Sequence, residues 1–268
     1  MAEPQLPSFD LVVATVGRTE EPARLLASID AQSHPRWRVL LVDQNPDDLL
    51  APLVRSGVER LHAQPGLSRA RNAALPRINA DLVAFPDDDC IYPVDLLERV
   101  AGRFASDSSL DGLTGRDDAG GWPAEAMLLT RGNLWNRAIS FTIFLRAAVV
   151  AGVGGFDERL GLPRSSGEEI DYLIRAVDAG AQIEYDPSIM VPHRPTVRSL
   201  THLGARDGAS IGYILRKHGY PRRRVAGMML RPAGGALLAV LRNDRARAQF
   251  HLSTLRGRFV GYRRAAAA

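Results

Sequence analysis

Residues 81–90 read DLVAFPDDDC, an apolar run that stops in three consecutive carboxylates, Asp87, Asp88 and Asp89, and leads directly into Cys90, Ile91 and Tyr92. The short apolar run bounded by acids predicts a buried strand that delivers its charges at its carboxyl end. Adjacent carboxylates repel one another, and such a cluster persists where a divalent cation relieves the repulsion. The stretch therefore predicts a sheet whose carboxyl edge carries metal-assisted chemistry; the plainer alternative is a solvated acidic turn.

Working outward, Phe9 to Val16 (FDLVVATV) predicts a first strand, followed by a turn at Gly17 and a helix. Thr19 is the expected cap, Glu20 and Glu21 suit the positive helix end, and Leu25, Leu26 and Ile29 form the apolar face. Trp37 to Val42 predicts a second strand ending at Asp43, and the next begins at Asp81. A helix follows the aspartates, with Pro93 near its start and Leu96, Leu97, Val100 and Phe104 on one face. Gly112 to Pro123 reads as loop, Phe141 to Leu145 as strand and Gly152 to Glu158 as turn. Ile170, Leu173, Ile174 and Val177 repeat with helical period up to Gly180, so Glu168, Glu169 and Asp171 fall in a first turn, and a strand from Ala181 to Asp186 precedes His193. Alternation of this kind favours a mostly parallel sheet flanked by helices, with ligands at the carboxyl ends of the strands.

Charge divides the chain. Residues 1–215 hold 21 arginines against 29 acids, whereas residues 216–268 hold 13 Arg and Lys against the single acid Asp244. The expected organisation is a catalytic domain over 1–215 and a basic, partly apolar helical extension over 216–268. Val225 to Leu241 is apolar apart from Arg231, which with Pro232 is expected to interrupt it, so the tail reads as interfacial rather than spanning. Arg222 to Arg224 beside it suit an anionic membrane surface, although a chain with Lys217 as its only lysine also carries a general arginine bias. Nucleic-acid binding is not expected, because no recognition module or interleaved stacking aromatics accompany the basic tail. A single cysteine rules out an intramolecular disulfide and fits a reducing cytoplasm, and MAEPQLPSFD is unlike a signal peptide. The expected location is cytoplasmic, peripheral on the inner face of the cell membrane.

Five stretches in order, LVVATVGR (Leu11 to Arg18), LVDQN (Leu41 to Asn45), GLSRARNAAL (Gly66 to Leu75), FPDDDC (Phe85 to Cys90) and GGFDE (Gly154 to Glu158) followed by SGEEIDYLIRA (Ser166 to Ala176), resemble the motifs of family 2 glycosyltransferases with the GT-A fold. The resemblance spans residues 9–195 and implies a Rossmann-like α/β domain that transfers a sugar with inversion from a nucleoside-diphosphate donor, uridine by default with a deoxythymidine diphosphate sugar as rival, to a glycan or lipid-linked acceptor in surface glycan or glycolipid synthesis. It implies that Thr15, Arg18, Asp43, Arg71, Asp87 and Asp88 contact the nucleotide sugar. It also implies that Asp89 and Asp87 bind Mn2+ or Mg2+, that His193 completes the ligand set, and that Glu169 is the base. Asp171 is the alternative base or a sugar-hydroxyl ligand. The chain departs from the family pattern at Ala14 to Arg18, at Gln44, where a second aspartate is usual, and at Glu168–Glu169, which lengthens the base by one methylene. Two other classes remain open: a sugar nucleotidyltransferase, which would need a glycine-rich loop after the first strand, and a nucleotide-sugar-binding protein without turnover.

Overall fold

The computed structural model describes residues 6–161, 165–193 and 200–265. The chain forms two compact units, residues 1–156 with 172–195 and residues 157–171 with 196–268.

The first unit is built on an eight-stranded mixed sheet flanked by helices. Its strands are β1 (Phe9–Thr15), β2 (Trp37–Asp43), β3 (Val58–His62), β4 (Leu82–Ala84), β5 (Gly112–Arg116), β6 (Met127–Leu128), β7 (Phe144–Arg146) and β8 (Ile183–Met190), in the spatial order β3-β2-β1-β4-β7-β5-β8-β6. The left half, β3-β2-β1-β4, is parallel, so the carboxyl ends of these strands share one edge. β7 then runs antiparallel between β4 and β5, and β5 pairs in parallel with β8. Leu11, Val12 and Val13 of β1 and Val39 to Val42 of β2 are all fully buried, as expected of strands covered on both faces.

Helix α1 (Glu20–Asp30) buries Leu25, Leu26 and Ile29, but the Thr19 side chain makes no cap bond; Glu20 and Glu21 in the first turn are what complement the helix end. α2 (Leu67–Ala74) follows β3, and α3 (Leu96–Ser106) buries the expected Leu96, Leu97, Val100 and Phe104. α4 (Ala147–Val153) occupies the beginning of the expected turn, and α5 (Glu168–Asp178) ends where Gly180 turns the chain at φ +97°.

Three expectations are corrected. Gly112 to Arg116 is strand rather than loop: its glycines admit close packing, since a Cβ on Gly112 would lie 2.6 Å from Leu145 Cδ2 and one on Gly115 would overlap the carbonyl of Ile189. Phe141 belongs to a 3-10 turn, Ser140–Thr142, and the strand starts only at Phe144. β3 was hidden by its mixed composition, VERLH, in which only Val58 is buried.

The second unit holds α6 (Leu200–Lys217), α7 (Arg222–Leu241) and α8 (Arg245–Arg264). The expected boundary after residue 215 falls near the end of α6, which groups with α7 and α8. α6 and α8 approach closely along small residues: a Cβ on Gly208, Gly212, Gly257 or Gly261 would overlap backbone of the facing helix. Helix α7 runs unbroken through Pro232, contrary to the expected interruption, and is long and apolar enough by composition to cross a membrane.

Candidate active site

Parallel register brings the motif residues to one edge. Thr15 pairs with Asp43 at the ends of β1 and β2, and Ala14 bridges to Asp87 just beyond β4. Beyond β8, Cys90 and His193 form an antiparallel bridge reinforced by Ile91 N–H donating to the Pro192 carbonyl at 3.0 Å. One ligand atom from each of Asp87, Asp89 and His193 lies within 4.8 Å of the others. Two carboxylates and an imidazole on a half-buried edge are a donor set suited to Mn2+ or Mg2+, with the nitrogen favouring the former.

Each member is held from outside the cluster. Asp87 Oδ1 accepts from Ser140 Oγ at 3.0 Å and from the Arg71 guanidinium at 3.3 Å. Arg71 is almost completely buried, with its guanidinium carbon 5.7 Å from the Phe85 ring centroid and 5.4 Å from that of Phe156. Asp88 accepts from Thr15 Oγ1 at 2.6 Å, and Arg18 Nη1 reaches Asp88 at 2.7 Å and Asp89 at 2.9 Å. His193 Nε2 lies 2.9 Å from Asp89 Oδ1, and its ring stacks on Phe141 with centroids 4.6 Å apart.

These surroundings drive neighbouring carboxylates apart. Burial raises the pKa of Asp88 despite the Thr15 and Arg18 contacts. Burial acts in the same sense on Asp89, but the His193 and Arg18 hydrogen bonds and charges outweigh it and hold that carboxyl below its ordinary range. His193 is opposed by burial and raised on balance by Asp89. Burial likewise pushes the Cys90 thiol well up, as fits a small filler under the cluster rather than a nucleophile.

Asp43 is fully buried, its Oδ1 accepting from the backbone and side-chain amides of Asn45 at 2.9 and 2.7 Å and its Oδ2 pairing with Arg60 at 2.7 Å. Gln44, the departure from the family pattern, serves as a brace: its amide nitrogen donates to the Thr15 carbonyl at 3.3 Å and its oxygen accepts from Gly66 N–H at 2.7 Å. Asn45 Oδ1 accepts from Gly17 N–H at 2.7 Å, fixing the turn that follows β1. Sequence reasoning missed Ser140, Phe141 and Arg60. Arg60 had a findable signal, an arginine two residues from the end of a strand beside a buried aspartate, once β3 is recognised.

Of the GGFDE and SGEEIDYLIRA stretches, the acidic residues Asp157, Glu158, Glu168, Glu169 and Asp171 belong to the second unit. Glu168 is buried, Glu169 half-buried and Asp171 fully buried in the first turn of α5. Asp171 Oδ1 pairs with Lys217 Nζ at 2.6 Å and with His218 Nε2 at 2.8 Å. Donor specificity is expected in the loops around Arg131 to Arg137 and Gly161 to Gly167, and the second includes residues 162–164, which lie outside the described residues.

A parallel sheet edge gathering acidic donor-site and metal motifs in this order defines a glycosyltransferase of the GT-A type. The family model for Glycosyl transferase family 2 matches residues 10–153, more than half of the sequence, and the chain belongs to that family. A Pre-mycofactocin glycosyltransferase of Mycobacterium tuberculosis is 27% identical over 228 residues, covering 75% of this chain and 46% of that protein. The chain thus spans about half the length of the mycobacterial relative. Glycosyltransferase AglE of Haloferax volcanii is 24% identical over 209 residues, covering 70% of this chain and 67% of AglE. Among solved structures, the mannosyltransferase PcManGT from Pyrobaculum calidifontis, in complex with GDP-Man and Mn2+, superposes with a TM-score of 0.71 at 14% identity, over 96% of this chain and 87% of that one. S. aureus TarS 1–349 in complex with UDP gives 0.59 at 18% identity, over 96% and 91%. At these identities the structures share the fold.

Proposed function

We propose that the chain transfers a glycosyl group, with inversion and with a divalent cation, from a nucleoside-diphosphate sugar to a hydroxyl of a glycan or lipid-linked acceptor in bacterial surface glycan or glycolipid synthesis. The observation that carries this reading is the convergence of Asp87, Asp89 and His193 within 4.8 Å, on the edge that also holds Asp43 and Thr15. Uridine is the first choice of base, since TarS binds UDP, with the guanosine found on PcManGT as its rival.

On this reading Asp89, Asp87 and His193 hold Mn2+ or Mg2+, which when bound offsets the charge that collects on the leaving diphosphate. Thr15, Asp43, Arg71 and Asp88 shape the nucleotide site, with Asp43 held in place by Asn45 and Arg60. Arg18, 22% exposed where Arg71 is 2% exposed, is the arginine placed to exchange its aspartates for diphosphate oxygens. Glu169 takes the proton of the acceptor hydroxyl as the oxygen attacks the anomeric carbon; the anomeric C–O bond breaks with its electron pair leaving on the nucleoside diphosphate. Asp171, already paired with Lys217 and His218, supports the helix turn that bears Glu169.

Calorimetric titration with UDP and GDP, each with Mn2+, Mg2+ or chelator, tests the site. Metal-dependent binding that Asp89→Ala abolishes is the expected result; equal binding with and without metal sinks the metal assignment. Release of nucleoside diphosphate from UDP- and GDP-hexoses then separates a transferase from a binding protein.

The C-terminal helices support a cytoplasmic enzyme lying on the inner face of the membrane. Leu230, Leu237 and Leu241 follow one another around α7 at intervals that place them on one face, flanked by Leu238 and Val240, and all five are exposed. Arg222 to Arg224 precede this face and Arg242, Arg245 and Arg247 follow it. Apolar area edged by cations fits the interface of an anionic bilayer. Co-sedimentation with phosphatidylglycerol vesicles, weakened by salt and lost in Leu237→Asp with Leu241→Asp, is expected. Absence of binding refutes the surface, and retention through alkaline carbonate extraction would make α7 a spanning helix instead.

A further inference from the structure

All but one of the 34 Arg and Lys residues are arginine, and the exception, Lys217, sits between carboxylates of the GGFDE and SGEEIDYLIRA stretches. Its Nζ lies 2.8 Å from Asp157 Oδ2, in the GGFDE turn, and 2.6 Å from Asp171 Oδ1, in the first turn of α5. Tyr213, one turn earlier on α6, donates its hydroxyl to the same Asp157 oxygen at 2.7 Å. Arg159 pairs with the other Asp157 oxygen at 3.1 Å, and His218 lies 2.8 Å from Asp171. Asp171 is completely buried and Asp157 nearly so. Burial opposes ionisation of Asp157, yet Lys217, Tyr213 and Arg159 together hold its carboxyl far below the usual range.

We propose that Lys217 is a positioning residue for the transfer reaction: its ammonium clamps Asp157 to Asp171 and so fixes the α5 turn that carries Glu169, two residues before Asp171. The role rests on Glu169 being the base. A guanidinium can also bridge two carboxylates, as Arg18 and Arg60 do, but it carries its donors in one plane and further out, whereas a compact ammonium points separate N–H groups at two buried carboxylates from different segments and fits a smaller space between them. Of the 34 Arg and Lys residues, the one lysine stands at this position, between a fully buried and a nearly buried carboxylate. The location at the end of α6 adds to the effect, since a cation there also complements the helix carboxyl terminus. Without the clamp, two buried carboxylates would face one another's segment without their shared cation, and the turn would move to relieve them.

The test uses full-length Lys217→Met, Lys217→Arg and Glu169→Gln with the UDP- or GDP-hexose that wild type hydrolyses fastest. Lys217→Met is expected to lower kcat about 10- to 100-fold with donor KM unchanged, as displacement of a reacting group does. Lys217→Arg is expected to fail to restore it. Nitrogen-15 lysine labelling gives one side-chain ammonium resonance in this chain, expected to be protected from exchange at neutral pH in wild type and to lose that protection in Asp171→Asn. An ammonium that exchanges as fast as free lysine, or Lys217→Arg with wild-type kcat, overturns the proposal. If Glu169→Gln lowers kcat and Lys217→Met does not, the base stands and the clamp falls. If Glu169→Gln turns over normally, the base assignment falls and takes this role of Lys217 with it, while the protected resonance would leave the ion pair itself intact.

Discussion

The Nε2 of His193 lies 2.9 Å from Oδ1 of Asp89 although the two residues are 104 positions apart. The strand exit after β8 is thereby closed onto the end of β4, with the Cys90–His193 bridge beneath and the Phe141 ring against the imidazole face. Carboxylate on the edge and aromatic ring on the face leave the imidazole little rotational freedom. His193→Gln is expected to weaken Mn2+ binding about 10- to 100-fold and to narrow the preference for Mn2+ over Mg2+. Electron paramagnetic resonance of free Mn2+ measures this, and unaltered affinity would make His193 a packing residue.

Arg18 places a cation between Asp88 and Asp89, where it competes with any incoming metal. Arg18→Ala is expected to tighten Mn2+ binding several-fold in the absence of nucleotide and to weaken nucleoside-diphosphate binding. Metal-indicator competition and calorimetry read the two effects separately. Unchanged metal affinity would show that the guanidinium does not guard the carboxylates.

His34 supplies a pH dependence remote from the site. It is buried, its Nε2 lies 2.9 Å from the Pro7 carbonyl, and Phe9 meets its ring edge-on. Burial lowers its pKa below 6.5 despite the Pro7 contact. The unfolded chain therefore binds a proton near pH 6.5 that the folded chain refuses, so this residue's contribution to stability declines as pH falls below 6.5 and levels off beneath the folded pKa. His193, raised by Asp89, contributes with the opposite sign, losing stability as pH rises through its folded value. The difference between wild type and His34→Gln in urea melts from about pH 7.5 to about pH 5 isolates the first effect. Parallel curves would refute it.

The glycines of the C-terminal helices are not equivalent. A Cβ on Gly261 would overlap the Ala209 carbonyl, whereas one on Gly227 meets nothing within 4 Å. Gly261→Ala is expected to destabilise by about 1–3 kcal/mol or more, through overpacking of α6 on α8. Gly227→Ala is expected to stabilise by about 0.5–1 kcal/mol, by helix propensity alone. Thermal melts of the two variants should move in opposite directions.

What could be read from the sequence follows from how local the physics is. Asp43 and Asp87 to Asp89 were legible because they terminate apolar runs, and α5 because Ile170, Leu173, Ile174 and Val177 keep a helical period. β5 was not, because Gly112 and Gly115 look like loop residues until Leu145 and Ile189 press against them. Ser140 and Phe141 were invisible as site residues because the contacts that recruit them, to Asp87 and His193, span more than 50 positions. Pro232 misled for a related reason: it is buried within a continuous α7, where tertiary packing overrides the local penalty.

Arg71 pairs with Asp87, and Arg18 with Asp88 and Asp89, and the two arginines differ in exposure. Arg71 lies almost wholly buried against Phe85 and Phe156, so its hold on Asp87 is established when the chain folds and needs no reordering later. The Arg18 side chain is 22% exposed, against 2% for Arg71. On the proposed function the cluster thus has one built-in counter-ion and one that gives way to the donor. On the proposed function, half of the site is preorganised, and donor binding is an exchange of partners at Arg18 rather than an addition of charge.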